Sequence, residues 1–245
     1  MHRFVHSLFE AEPTSGYLDR FGWLLTLTYL TIAGQMLVNF DAQATAFGNE
    51  IGMAIAQTIA TAMMLLAVQA CGVRRRWRVA ISLLALLGLA ARLILVAAEI
   101  FSEQRLLVRS VEAPWGTAVL MLLTFGFVCY RLSRHRQVTS ATLLAAITAY
   151  LLIPLVFYYV FLILDDVQPQ HFFGKPQPGP EFMYFSLTTV TTLGYGDPSP
   201  VTDLGQLLAT SEALIGQLYL VVVVALIVGL MTTRWHRTDE GNLAQ

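Results

Sequence analysis

Charged residues are scarce in this sequence. They make up 13% of its 245 residues, whereas 56% are hydrophobic, and a soluble domain carries about twice that charged fraction. The mean hydropathy is +0.62, and apolar runs of roughly 20 residues recur along the chain, each long enough to cross a bilayer. The composition therefore excludes an ordinary soluble domain and predicts a helical membrane protein.

Cysteine and catalytic motifs are also lacking. The two cysteines, Cys71 and Cys129, stand at the ends of apolar runs, which argues against a disulfide framework. The sequence contains no glycine-rich phosphate loop, no HExxH and no clustered Cys and His ligands. We therefore expect neither an enzymatic activity nor a resident cofactor. The first apolar run lacks the basic flank and cleavage site of a signal peptide, so we expect it to be retained as a span.

Six apolar runs define the predicted transmembrane helices. They cover residues 22–40, 51–71, 79–101, 115–130, 141–164 and 205–231. Residues 1–20 mix apolar and charged side chains, which suits either a short helix on the membrane surface or a frayed tail. The sequence thus predicts an all-α membrane protein with six transmembrane helices.

Basic residues mark alternate ends of these runs. "RRRWR" (residues 74–78) joins the second and third runs, "RLSRHR" (residues 131–136) joins the fourth and fifth, and Arg234 and Arg237 follow the sixth. Arginine and lysine concentrate in cytoplasmic loops. Both termini are therefore predicted to be cytoplasmic, which agrees with an even number of spans.

The connection between the fifth and sixth runs holds a second apolar piece, residues 181–190, that is too short to cross the membrane. "PGPEF" before it is typical of a helix start, and "TTVTTLGYGDPSP" overlaps and follows its end. Irregular backbone at membrane depth must be shielded from lipid and must face water or ions. The sequence therefore predicts a re-entrant helix followed by a loop inside the membrane.

The loop suits a dehydrated cation. Gly194 and Gly196 permit positive φ, so that successive carbonyls can line one axis while the side chains of Leu193 and Tyr195 point into the surrounding protein. Four copies would stack rings of oxygens, with the Thr192 hydroxyl at the inner mouth. Because one segment cannot surround an ion, four chains are predicted to assemble.

"TTLGYGD" closely resembles the selectivity-filter signature of potassium channels, TVGYG followed by Asp, with Leu193 in place of the usual valine. This resemblance to the tetrameric pore-loop superfamily covers residues 141–231, as outer helix, pore helix, filter and inner helix. It implies passive K⁺ conduction through a homotetramer in membrane lipid, with permeant K⁺ and no cofactor or nucleic acid. The residues it assigns to ion binding through their carbonyl rings are Thr192, Leu193, Gly194, Tyr195 and Gly196.

The resemblance also implies supporting residues around the filter. Asp197 matches the family's aspartate outside the filter, which bonds an aromatic residue of the pore helix, here Tyr184; a solvated carboxylate and an interfacial tyrosine are the alternative. Glu212, the only carboxylate well inside the last run, is predicted to lie behind the filter and to bond pore-helix hydroxyls such as those of Thr188 or Thr189. Solvation near the outer interface is the alternative for Glu212.

The resemblance places a hinge and a gate in the last helix. Gly216 stands where similar channels have a hinge glycine, although close helix packing against a small residue explains it equally well. Leu220 and Val224, one and two turns further on, either close an apolar constriction or pack against the fifth helix or lipid.

The first four helices depart from the voltage-gated pattern. The fourth run carries no charge, and its arginines follow it at the predicted cytoplasmic edge, so voltage can supply little work to a gate. In the third run, Arg92 and Glu99 either couple within the bundle, bind lipid head groups or extend to the outer interface. His171, outside near the pore mouth, is either a pH sensor or incidental.

The predicted domains follow from these assignments. Residues 1–20 form a cytoplasmic or interfacial segment, 21–136 a four-helix domain, 137–233 the pore domain and 234–245 a short cytoplasmic tail. The compact form favours a prokaryotic cytoplasmic membrane, and the gating stimulus stays open. A weakly selective cation channel and a non-conducting regulatory subunit are the alternative functions.

Overall fold

A computed structural model describes residues 17–37, 46–70, 75–101, 115–134 and 140–243. Most of the predicted segment 1–20, Cys71 and the loop arginines 74 and 136 lie outside these ranges. The side chains of Arg92, Glu99 and Val224 also lie outside the described part, although their backbones belong to helices. The alternatives for these residues therefore stay predictions.

Seven helices lie in the described ranges, and no strand occurs in them. They are α1 (Tyr17–Leu37), α2 (Ala46–Ala70), α3 (Arg75–Phe101), α4 (Trp115–Arg134), α5 (Ser140–Val167), α6 (Gly179–Val190) and α7 (Asp203–Leu243). The predicted all-α class is confirmed. Helix α6 lies where the short re-entrant helix was predicted, and it is too short to span a bilayer.

Three of these helices are long and apolar enough to cross a membrane. Their apolar stretches are Trp115–Ser133, Thr142–Val167 and Asp203–Val223, within α4, α5 and α7. Shorter apolar stretches, Thr58–Gln69 and Arg78–Ala91, lie within α2 and α3. The protein is thus an integral membrane protein with three candidate spans in its described part, and the remaining predicted spans stay predictions.

Three segments predicted as loop or tail are largely helical. Arg75 begins α3, and α4 continues through Arg131 to Arg134. The last helix does not end at residue 231 but continues to Leu243, so most of the predicted tail prolongs α7. Hydropathy marks where a helix leaves lipid, not where it ends, and arginine is itself a good helix former.

Helix α5 lies at the centre of the bundle. It packs against α1, α4, α6 and α7, while α2 packs against α1, α3 and α4. Half of the residues in its apolar stretch are buried, among them Leu152, Leu155 and Phe161. Helix α1 also contacts α6, so the first helix of the chain reaches the element that precedes the glycine-rich loop.

A buried polar contact joins α1 to α5. Gln35 lies between two tyrosines: its Nε2 donates to the Tyr159 hydroxyl at 3.2 Å, and its Oε1 accepts from the Tyr158 hydroxyl at 3.1 Å. All three side chains are buried. Buried polar groups are costly unless they are paired, so this contact fixes how α1 sits against α5.

We predict that Gln35→Leu destabilises the protein by about 1–3 kcal/mol, because it keeps most of the side-chain volume but leaves two buried tyrosine hydroxyls without their partner. Thermal unfolding of the purified protein in detergent measures the effect. The matched control is the triple variant Gln35→Leu, Tyr158→Phe, Tyr159→Phe, which removes both sides of the contact and should recover most of the loss. An unchanged unfolding temperature for the single variant would contradict the prediction.

Candidate functional site

Helix α6 starts at a proline-rich turn. Pro178 is its N-cap, a proline occupies its first positions and Glu181 lies in its first turn. The fixed φ of proline suits the start of a helix, and a carboxylate there complements the helix dipole. The Glu181 N–H donates to the Pro178 carbonyl at 3.0 Å. The helix begins two residues before the predicted residue 181 and ends at the predicted Val190.

The residue after the C-cap of this helix, Thr192, has a left-handed backbone conformation. Thr191 is its C-cap, and Thr192 has a φ of 60°, a conformation that β-branched residues rarely adopt. Two bonds hold the turn: the Thr192 N–H donates to the Thr189 carbonyl at 3.0 Å, and the Gly194 N–H donates to the Thr188 carbonyl at 3.1 Å. Sequence reasoning missed this turn, because it expected positive φ only at the glycines.

Both glycines of the loop have positive φ. Gly194 has a φ of 49° and Gly196 a φ of 87°, as their residue type predicts. No atom lies within 4 Å of the position that a Cβ would occupy at either glycine. The backbone conformation, rather than lack of space, therefore selects glycine at these two positions.

The filter loop, residues 191–197, is exposed throughout in the single chain. Leu193 is 59% exposed and Tyr195 70% exposed. Tyr195 packs on α6, where its ring lies parallel to that of Tyr184 with the centroids 6.3 Å apart. Within the described part of the chain no hydrogen bond joins Tyr184 to Asp197, so the bond implied by the resemblance stays a prediction.

Helix α7 turns one face towards α6. The buried positions of its N-terminal half recur at helical spacing, and they are Gly205, Ala209, Glu212 and Gly216. A Cβ on Gly216 would lie 2.6 Å from Val190 Cγ2 and 3.2 Å from the Val190 carbonyl oxygen. Of the two interpretations of Gly216, the structure supports close packing. Helix α7 continues through this residue, and a hinge there stays a prediction.

Glu212 is fully buried behind α6. Its Oε1 lies 2.5 Å from the Ser186 hydroxyl, so the structure assigns it a different hydroxyl partner from the predicted Thr188 or Thr189. The Thr188 hydroxyl donates instead to the Phe185 carbonyl of its own helix, at 3.0 Å. Ser186 and Val190 are four residues apart and share the face of α6 that meets α7, whereas Thr188 lies on another face.

Two tyrosines tie the end of α6 to α5 and α7. The Tyr150 hydroxyl donates to the Val190 carbonyl at 3.4 Å, and the Tyr219 hydroxyl donates to the Ala146 carbonyl at 2.7 Å. Their rings stack with centroids 6.1 Å apart. Sequence reasoning missed both residues, although a tyrosine within an apolar helix usually needs a partner for its hydroxyl.

The loop between α5 and α6 packs against the C-terminal end of α5, against α6 and against the segment that precedes α7. Phe172 is buried. The centroid of its ring lies 4.9 Å from that of Phe161 and 5.7 Å from that of Phe185. Its N–H donates to Asp165 Oδ1 at 2.7 Å, and its carbonyl accepts from the Val201 N–H at 3.0 Å. The segment that follows the filter loop is therefore hydrogen-bonded to the segment that precedes α6.

His171 lies on the outside of this loop. It is exposed, and its Nδ1 lies 3.3 Å from Asp165 Oδ2. The histidine therefore contacts the carboxylate that holds Phe172 rather than the filter loop. Its role as a pH sensor stays a prediction.

Most of the other described positions of α7 are exposed in the single chain. Within residues 203–223 the buried positions are those that face α6, namely Gly205, Ala209, Glu212 and Gly216. Leu220, a predicted gate residue, is 36% exposed. Large apolar side chains on the same helix are also exposed, namely Leu207, Leu214, Leu218, Val221 and Val222. The gate stays a prediction.

Comparison with known proteins identifies the segment that holds this site. Residues 145–233 match a family described as "Ion channel", and they run from α5 into α7. Over 65 residues the chain is 37% identical to "Potassium voltage-gated channel subfamily A member 7" of Homo sapiens and, to the same degree, of Mus musculus. The aligned part is 26% of this chain, but only 14% and 13% of those two relatives.

Residues 145–233, which we call the pore module, are thus similar to ion channels, and in them α5, α6, the filter loop and α7 follow one another in the order that the resemblance predicted. The resemblance assigns α5 as the outer helix, α6 as the pore helix and α7 as the inner helix. The predicted family is therefore confirmed for this part of the chain.

We predict that Gly216→Ala destabilises the pore module by about 1–3 kcal/mol, because the added methyl group overlaps Val190, a stiff and buried side chain. The measurement is thermal unfolding in detergent. Gly126→Ala is the matched control, since Gly126 also lies within a membrane helix and an added Cβ there would have nothing within 4 Å. Adding Val190→Ala should rescue Gly216→Ala. A loss that is equal for Gly126→Ala and Gly216→Ala would contradict the assignment.

Proposed function

We propose that the protein is a potassium-selective channel that passes K⁺ down its gradient. The observation that carries this proposal is the filter loop: directly after a half-length helix, two glycines at positive φ alternate with Leu193 and Tyr195 in a chain that spans a membrane. Such backbone cannot face lipid, because its N–H and C=O groups would lack partners. It can line a path for ions.

The chemistry of the proposed site is that of backbone oxygens. Rings of carbonyls from Thr192, Leu193, Gly194 and Tyr195 replace the water around a dehydrated K⁺. The carbonyl end of the pore helix favours a cation beyond Thr192 through its dipole. Permeant K⁺ is the cargo, and conduction needs no cofactor.

The proposed assembly is a homotetramer. A single filter loop cannot enclose an ion, and in the single chain this loop and more than half of residues 203–223 of α7 are exposed. Four copies around one axis would bring the loops together and would cover part of α7. The Leu193 and Tyr195 side chains would then brace against neighbouring pore helices.

The proposed arrangement in the membrane has six spans with both termini in the cytoplasm. Its support is the placement of Arg75, Arg76 and Arg78 at the start of α3 and of Arg131 and Arg134 at the end of α4, which puts these basic ends on one side. A prokaryotic cytoplasmic membrane suits this arrangement. Because residues 115–130 of α4 are uncharged, we propose that gating is not strongly voltage-dependent.

We predict that the purified protein carries Rb⁺ and K⁺ into sealed proteoliposomes and carries Na⁺ far more slowly. Gly194→Ala should abolish the selective flux, because an alanine at positive φ costs about 1–2 kcal/mol in each of four subunits and turns carbonyls away from the axis. Isotope uptake measures the flux of each ion.

Gly126→Ala is the control for this experiment, since this exposed helical glycine lies outside the pore module. It should leave the flux unchanged. Equal uptake of Na⁺ and K⁺ would favour a weakly selective channel instead, and no uptake of any alkali ion would favour a non-conducting subunit.

A further inference from the structure

Three buried oxygens form a chain across the pore module. The Ser186 hydroxyl of the pore helix lies 2.9 Å from the Pro154 carbonyl oxygen of α5 and 2.5 Å from Glu212 Oε1 of α7. Ser186 and Glu212 have no exposed surface. Both separations lie within the range of O–H···O hydrogen bonds, so the serine joins the outer helix to the inner helix.

The number of hydrogens available for these two contacts indicates the protonation state of Glu212. A backbone carbonyl only accepts, and a serine hydroxyl carries one hydrogen. If Ser186 donates to the Pro154 carbonyl, the hydrogen between Ser186 and Glu212 must come from the carboxyl group. If Ser186 donates to an ionised Glu212, the contact with Pro154 has no hydrogen. Both contacts are two-centre hydrogen bonds only when Glu212 is protonated, since otherwise the two acceptors must share one hydrogen.

The surroundings of Glu212 also favour the neutral form. Glu212 Oε2 is buried and has no hydrogen-bond partner, and within the described ranges Glu212 forms no ion pair. A buried carboxylate without a cation is far more costly than a buried carboxylic acid. The neutral acid leaves unpaired only a carbonyl oxygen.

Other titratable groups on the packed helices are engaged elsewhere or stand apart. On α5, Tyr150 bonds Val190 and the pair Tyr158 and Tyr159 bonds Gln35. Asp165 holds Phe172 at the outer end of α5, and Asp166 next to it is exposed. On the pore helix, Tyr184 stacks on Tyr195, and Glu181 lies in the first turn, more than a turn before Ser186.

We infer that Glu212 is a carboxylic acid that donates its proton to Ser186, which in turn donates to the Pro154 carbonyl. This relay joins α7, α6 and α5 by two hydrogen bonds at the middle of the pore helix. Ser186 lies five residues before the C-cap Thr191, so the relay fixes the helix whose end carries the filter loop. Glu212 is thus a positioning residue, and only its effect on ion flux depends on the proposed function.

Infrared spectroscopy tests the protonation directly. Spectra of the full-length wild-type protein and of Glu212→Gln are compared at neutral pH in detergent or lipid. The relay predicts a carboxylic-acid C=O band in the wild-type protein that is missing in the variant. Identical spectra in that region, with extra carboxylate absorption in the wild type, would overturn the inference.

Conservative replacement tests the relay as a positioning device. The amide of Glu212→Gln keeps a donor for Ser186, so this variant should retain the wild-type unfolding temperature and Rb⁺ flux. Glu212→Ala and Ser186→Ala should each lower the folded-to-unfolded ratio by about tenfold, the effect of leaving a buried partner unpaired. Ser211→Ala is the control, because Ser211 bonds only within α7.

The two proposals fail in different ways. If Glu212→Gln is as damaging as Glu212→Ala, the carboxylate charge is required and the relay is wrong. If the wild-type protein shows the acid band but carries no Rb⁺, the proposed channel activity is wrong and the relay stands.

Discussion

The contact between the pore helix and α7 determines where the filter loop can lie. Val190 fits against Gly216 so closely that no Cβ has room there, and one turn earlier Ser186 meets Glu212. The two contacts are four residues apart on each helix, so they lie on a single face of α6 and a single face of α7. The filter loop begins directly after Val190, and its position in the membrane follows from this contact.

The proposed ion site consists of backbone oxygens, so its geometry depends on how rigidly its surroundings hold the loop. The Thr192 and Gly194 N–H groups bond back to the pore helix, Tyr184 stacks on Tyr195, and Tyr150 reaches the Val190 carbonyl. On the outer side, the Phe172 carbonyl holds the chain at Val201. The loop is thereby fastened at its start, along one side and after its end.

Local sequence patterns predicted the frame of the site but not its contacts. "PGPEF", the apolar piece after it and the two glycines carry their own conformational preferences, and the structure has these features where they were predicted. The partner of Glu212 depends on how α6 and α7 rotate against each other, and neither helix encodes that rotation alone. The same holds for Tyr150 and Tyr219. The positive φ of Thr192 opposes the preference of its residue type.

The central claim is that carbonyl oxygens of four identical chains take the place of water around K⁺. Crystals of the purified protein grown in Rb⁺ test it most directly, through the anomalous scattering of the ion. The account predicts separate peaks in a row on a fourfold axis, each between successive carbonyl rings of residues 192–195. Filter loops that do not meet on an axis, or an axis without ions between those carbonyls, would contradict it.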